Sequence, residues 1–183
     1  LKAEGVLGSG SMATVDAVFD NALMRHIACK TIHADLLESE PVVREFIREV
    51  QITAALDHPF IIPVYELGFN ERGQLFFTMK RFIGSNLEDR ISELQTGGLD
   101  RKTLLEFLEI IVKVCDALAF AHDRGVVHCD LKPEHVVMAR FGKVFVIDWG
   151  VAHITNEAGP ELLALLEGGE EEEEKVVKGT IPY

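Results

Sequence analysis

The chain has little cysteine, and what it has is not arranged for crosslinking. Cys29, Cys115 and Cys129 make an odd count, and no Cys-x-x-Cys pair occurs. That argues against a disulfide framework and suits a reducing compartment, so a cytoplasmic location is expected. Cys29 and Cys115 read as small buried hydrophobes. Basic residues are also few: 18 Lys and Arg stand against 30 Asp and Glu, for a net charge of −12. A phosphate backbone needs clustered cations, so no nucleic-acid partner is expected, and an acidic surface favours a basic partner. No secretory signal is visible, and the chain opens on Leu1. Its most apolar stretch, residues 104–121, is broken by Glu106, Glu109, Lys113 and Asp116, so no membrane segment is expected in this chain. The stretch reads as a buried helix.

With 183 residues, 48% hydrophobic and 26% charged, the chain has the composition of a globular protein of one domain or two small lobes sharing a cleft. Over residues 6–33, β-formers alternate around a glycine-rich turn, which predicts two or three antiparallel strands. Pro41 opens a helix whose apolar positions are Val42, Val43, Phe46, Ile47, Val50 and Leu56. Two strands follow, near 64–68 and 75–79, with residues 70–73 as their turn. Asp100 is the predicted N-cap of a long helix reaching about His122 and closed by Gly125. Short β runs at 136–138 and 144–147 flank a Phe141-Gly142 turn, while residues 152–178 show no clear period. There are no internal repeats, and the character changes near Ile83 and Gly84.

Three motifs carry chemistry. In Leu7-Gly8-Ser9-Gly10-Ser11-Met12-Ala13-Thr14-Val15, glycines in a strand–turn–strand let backbone N–H groups approach phosphate oxygens without Cβ interference. β-type sequence follows, which disfavours the helix-opening kind of glycine loop. In Ile27-Ala28-Cys29-Lys30, a lysine among apolar neighbours needs a partner charge, which Glu49 on the following helix could supply. Standing alone, Lys30 would equally read as a strand-end lysine reaching solvent. The third runs from Val127-His128-Cys129-Asp130-Leu131-Lys132-Pro133-Glu134-His135 to Ile147-Asp148-Trp149-Gly150. An Asp with a Lys two residues on can orient a hydroxyl while the Lys neutralises a phosphoryl group in transfer. A second Asp, on a tight turn after a strand, can hold magnesium.

In this order the motifs resemble those of the protein kinases: glycine loop, strand lysine, helix glutamate, H-R-D-x-K-x-x-N loop and D-F-G turn. The resemblance covers essentially the whole chain. It implies an α+β fold, with a five-stranded antiparallel lobe and one helix over residues 1–83. A partial, mainly helical lobe over 84–183 completes it, with ATP between the two. It further implies that Leu7, Gly8, Ser9, Gly10 and Val15 cover ATP and that Ala28 and Val137 sandwich adenine. Lys30 would hold the α- and β-phosphates and pair with Glu49. Met79 resembles the gatekeeper, and Lys80 to Phe82 the hinge. Asp130 resembles the catalytic Asp, Lys132 its phosphate-binding partner and Asp148 the metal ligand. Lys132 and Thr180 mark the serine/threonine branch, and Trp149 resembles a variant among bacterial serine/threonine kinases. Residues 179–183 resemble the start of the substrate-binding loop. The implied activity is transfer of the ATP γ-phosphate, with Mg2+, to Ser or Thr of a protein substrate. The alternatives are a pseudokinase acting as a nucleotide-binding or scaffolding module, and a kinase-like small-molecule phosphotransferase.

Several positions depart from the family pattern. Ala13 replaces the third glycine, and Cys129 the Arg that in many kinases clamps an activation-loop phosphate. Residues 156–179 contain no Ser, Thr or Tyr, which rules out phosphorylation there, and Glu170 to Glu174 form an acidic run. His135 stands where the family has the Asn that ligates a second magnesium. Imidazole suits softer ions than magnesium does, so a shift toward Mn2+ is expected. A zinc site from His122, His128, Cys129 and His135 is the remaining alternative. The family's helical lobe continues beyond this point, so the chain reads as truncated. Its missing C-terminal region or a partner is then expected to cover the 104–121 helix.

Overall fold

A computed structural model of the chain describes residues 1–97 and 100–167. Chain contacts divide it into two units, residues 1–54 with 63–81, and residues 55–62 with the chain from Phe82 onward. The break follows Arg81, whereas the sequence suggests one near residues 83 and 84. Residues 55–62 group with the second unit rather than with the strands that flank them.

In the first unit, β-branched and aromatic runs form β1 (Lys2–Ser9), β2 (Ala13–Asp20) and β3 (Arg25–Ile32). Helix α1 (Glu40–Ala55) follows, then β4 (Val64–Phe69) and β5 (Leu75–Lys80). The strands make one antiparallel sheet in the order β1-β2-β3-β5-β4. Cross-strand partners share a face, so the register decides what each side chain meets. Val15 lies opposite Lys30, Ala17 opposite Ala28, Ala28 opposite Met79 and Lys30 opposite Phe77. Val15, Ala28, Lys30 and Met79 therefore lie on one face, Lys80 lies on the other, opposite Ile27, and α1 packs against part of the first. Phe46 of α1 meets Phe77 with ring centroids 5.3 Å apart, in a core with Ala13, Ile32, Val50 and Leu75. Burying each of the larger side chains contributes about 1.5–3 kcal/mol. The opposite face carries a smaller cluster of Val18, Ile27, Cys29 and Phe76.

The second unit has β6 (Gly84–Asn86), α2 (Leu87–Gly97) and the long α3 (Arg101–Asp123). After these come β7 (Val126–Val127), β8 (Val136–Ala139), β9 (Lys143–Val146), β10 (His153–Ile154) and α4 (Pro160–Glu167). Strands β6, β8 and β9 form one small sheet, and β7 pairs with β10. As the sequence predicts, Asp100 caps α3, accepting from the Thr103 N–H at 2.7 Å. Helices α2 and α4 have no counterpart in the sequence reading. Helix α2 opens on a reciprocal cap, Asp89 N–H to Asn86 Oδ1 at 2.8 Å and Asn86 N–H to Asp89 Oδ2 at 3.3 Å. In α4 the Leu-Leu-Ala-Leu-Leu run hides any 3.6-residue spacing, and Pro160 at its first position is the signal that remains.

Helix α3 corrects two expectations. It is not buried along its length: Val114, Ala117 and Ala121 are, while Leu104, Leu105, Leu108, Ile111 and Val112 are exposed. Cys115 lies on the exposed side, unlike Cys29, which is buried as expected. None of the described helices is long and apolar enough to cross a membrane. The acidic run at 170–174 and the loop start at 179–183 lie outside the described residues.

The end of α3 depends on Gly125, whose φ of +73° favours glycine and whose would-be Cβ meets the Ala158 backbone at 2.6 Å. Gly84 is confined by space alone, since a Cβ there would lie 1.8 Å from the Met138 carbonyl oxygen. Gly125→Ala combines backbone strain with overlap and is expected to cost about 2–4 kcal/mol. Urea unfolding of the purified protein measures it, and a midpoint equal to wild type would show that the turn relaxes freely.

Candidate active site

The first unit contributes a buried ion pair. Lys30 Nζ on β3 donates to both carboxylate oxygens of Glu49 on α1, at 2.6 and 2.8 Å. Glu49 is buried because its helical neighbours Phe46 and Val50 pull that face of α1 onto the sheet. Phe77, beside Lys30 in the register, places its ring 5.7 Å from the ammonium. The glycine loop joins β1 to β2, with Leu7, Gly8, Ser9 and Gly10 exposed. Gly10 N–H donates to the Ala13 carbonyl at 2.9 Å, and His33 Nε2 donates to the Gly10 carbonyl at 3.0 Å. His33, which no sequence motif marks, sits just past β3 and reaches back to hold the loop. Ala28 and Met79 are cross-strand partners. At the expected hinge, the Lys80 N–H is engaged by the Pro63 carbonyl at 3.0 Å, so it is not available to a nucleotide base. Phe82 begins the second unit.

The second unit contributes the loop between β7 and β8. His128, buried, uses both ring nitrogens on backbone groups: Nε2 donates to the Ile147 carbonyl at 3.1 Å, and Nδ1 accepts from the Asp130 N–H at 3.3 Å. The imidazole is therefore neutral and ties the Asp130 loop to the strand end that carries Asp148. A second tie is the Ile147 N–H to the His135 carbonyl at 2.9 Å. Cys129 and Asp148 both have φ of +63°, a left-handed conformation that costs a non-glycine residue about 1–2 kcal/mol. Packing holds both residues there. Trp149, fully buried, lies with its ring centroid 4.6 Å from that of His128, and its indole N–H has no partner.

On this frame Lys132 Nζ lies 3.3 Å from Asp130 Oδ2. His135 Nδ1 lies 2.8 Å from the Asp130 carbonyl oxygen, and its Nε2 lies 3.1 Å from Asp148 Oδ2. Val137 is buried next along, in β8. Asp130, Lys132, His135 and Asp148 are thus brought together, as are Lys30 and Glu49. The zinc alternative is not met. Among the described residues no three His, Cys, Asp or Glu side chains gather to hold a metal, and both nitrogens of His128 are already engaged.

The two histidines are pushed in opposite directions. Burial holds the His128 imidazole below its usual value. Burial also pushes His135 down, but the hydrogen bond and charge of Asp148, with the Asp130 carbonyl, outweigh it and the net is upward. His128 therefore contributes stability that is present above the usual imidazole value of about 6.5 and is lost as pH falls through it. His135 contributes stability that is present below about 6.5 and is lost as pH rises through its folded value. An NMR titration of the ring nitrogens is expected to show His135 protonating at the higher pH, and the reverse order would contradict this geometry. For the ion pair, Lys30→Met leaves a buried carboxylate uncompensated and should cost about 1–3 kcal/mol, less than a fully dry pair because Lys30 keeps some solvent. Adding Glu49→Gln should restore part of that loss in urea unfolding.

Comparison with known proteins identifies the family. The family model described as "Protein kinase domain" matches residues 1–180. The chain is 32% identical over 164 residues to a protein named serine/threonine-protein kinase PknD from Protochlamydia amoebophila, covering 86% of this chain and 17% of that protein. To proteins of the same name it is 33% identical in Chlamydia pneumoniae and 35% in Chlamydia trachomatis serovar D. Each match runs over 153 residues, or 80% of this chain and 16% of the relative. The chain thus spans about one sixth of the length of these relatives. With the motifs in family order, the α+β fold in place and residues 1–180 of the chain matched by the family model, the chain belongs to the protein kinase family.

Proposed function

We propose that this chain transfers the γ-phosphate of ATP to a serine or threonine hydroxyl of a protein substrate. The observation that carries the reading is the Asp130–Lys132 contact at 3.3 Å, on a loop tied through His128 to the turn bearing Asp148. Its support is the family match and the serine/threonine kinase name of the relatives.

In this reading Asp130 accepts the proton of the substrate hydroxyl as the hydroxyl oxygen attacks the γ-phosphorus, the bond from that phosphorus to the β–γ bridging oxygen breaks to release ADP, and Lys132 neutralises charge on the phosphoryl oxygens. Lys30, oriented by Glu49, holds the α- and β-phosphates. The glycine loop, with Leu7, Gly8, Ser9, Gly10 and Val15, covers them. Ala28, Met79 and Val137 supply apolar surface for adenine. Asp148 and His135 offer a carboxylate oxygen and an imidazole nitrogen that fit a divalent ion, with magnesium the ordinary ion of such sites. The ion, when bound, neutralises the phosphates. The net charge of −12 favours basic substrates, and the ATP requirement and the odd cysteine count without a Cys-x-x-Cys pair favour the cytoplasm. The exposed apolar side of α3 is then an interface, covered by further polypeptide or by a partner.

Removing the base should separate chemistry from binding. Asp130→Asn is expected to lower phosphoryl transfer to a basic protein by roughly 10²–10⁴-fold while nucleotide affinity changes little. Radiolabel transfer and calorimetry on the same preparations decide it, and retention of full activity would remove Asp130 from the reaction.

A further inference from the structure

His33 meets the glycine loop at two points. Its N–H donates to the Met12 carbonyl at 2.9 Å, which carries the β2–β3 ladder one step past the Ala13–Ile32 pair. Its imidazole Nε2 lies 3.0 Å from the Gly10 carbonyl oxygen, which can only accept, so Nε2 carries the hydrogen. The side from which the ring arrives follows from strand alternation. Lys30 and Ile32 share the face of β3 that α1 covers, since Lys30 bonds Glu49 and Ile32 packs with Phe46. His33 keeps an extended backbone, with φ −65° and ψ 139°, so its side chain leaves from the opposite face. A trans peptide sets its N–H antiparallel to its C=O. With the Gly10 carbonyl turned to the imidazole, the N–H of Ser11 in the same peptide turns away from it, toward the Lys30 side.

We propose that His33 is a positioning residue for the phosphate chain of the nucleotide, acting through the Gly10–Ser11 peptide. The proposal rests on the phosphotransfer reading and deepens it by adding a residue that itself touches no substrate. A phosphate held by Lys30 lies on the side to which the Ser11 N–H points, so the held peptide offers the anion a donor. Glycine at position 10 leaves that peptide free to rotate when nothing holds it. Rotated by half a turn, it would present a carbonyl oxygen to the phosphate and lose the donor. The imidazole selects the useful orientation before any nucleotide arrives, so binding need not supply the ordering. The bond is solvent-accessible and single, which keeps its effect within the range of one ordinary hydrogen bond.

The test compares ADP with adenosine by calorimetry, with Mg2+ present, on intact wild type, His33→Ala, His33→Asn and His33→Gln. Glutamine places an amide N–H near the position of the imidazole Nε2, whereas asparagine stops short, near that of Nδ1. Alanine and asparagine should weaken ADP binding by roughly 3- to 10-fold, the usual net effect of one hydrogen bond, with glutamine recovering most of the loss. Adenosine, which has no phosphate, should bind the variants as it binds wild type. Equal losses for ADP and adenosine would mark a merely structural role and overturn the proposal. ADP affinity unchanged in the alanine variant, or asparagine doing as well as glutamine, overturns it too. One measurement needs no variant: 15N NMR of the neutral His33 ring in wild type should show the hydrogen on Nε2, and the Nδ1–H tautomer refutes the contact on which the proposal stands. Failure of wild type to bind ADP at all overturns the phosphotransfer reading itself, and this inference with it.

Discussion

A neutral imidazole can donate from one nitrogen and accept at the other, and in His128 both roles are taken by backbone groups. The Asp130 N–H enters on one side and the Ile147 carbonyl leaves on the other, so the ring fixes the distance between a loop and a strand end. Asp130 and Asp148 inherit their positions from that tie. Burial enforces it, because a charged ring here would lose water and would have no acceptor for its second proton. The ring also gives Trp149 a surface to lie on, and the buried indole in turn keeps water from competing for the two backbone bonds. The unmet indole N–H is a local cost of about 1–3 kcal/mol that this arrangement carries.

The strain at Cys129 and Asp148 fits the same frame. Each residue flanks a tied backbone group, Cys129 between His128 and Asp130, Asp148 directly after Ile147. The ties over-determine the backbone, and the left-handed conformations are what remains for the residues between them. An Asp tolerates that region better than most residues, which suits the position of the metal-binding candidate. Cys129 has no such excuse in its side chain, whose thiol donates to the Val127 carbonyl at 3.4 Å.

The Lys30–Glu49 pair has a different origin. It forms from the packing of one helix on one sheet face, through Phe46, Val50 and Phe77, within the first unit alone. No hydroxyl lies between residues 156 and 179 to be phosphorylated, and the Arg that in many kinases reads such a phosphate is Cys129 here. Hydrophobic packing of α1 on the sheet is what orders the ion pair.

Much of this was legible from residue order. The family resemblance named Val15, Ala28, Lys30 and Met79, the register put them on a common face, and helical spacing puts Glu49 beside Phe46 and Val50. The Asp130, Lys132 and Asp148 motifs are local, so their chemistry can be read without a fold. Other features were not legible, for reasons that are physical. Exposure of Leu105, Val112 and Cys115 on α3 depends on which elements pack against a helix, and periodicity shows a helix's faces without showing what covers them. Lys80 loses its N–H to Pro63 through a contact across the sheet that spacing does not reveal. By itself the sequence determined the family, the strand faces, the ion-pair partners and the presence of an imidazole where an amide is usual. Only the tertiary structure decided that this imidazole spans from the Asp130 carbonyl at Nδ1 to the Asp148 carboxylate at Nε2, because a hydrogen bond's direction is set by where the acceptor lies in space.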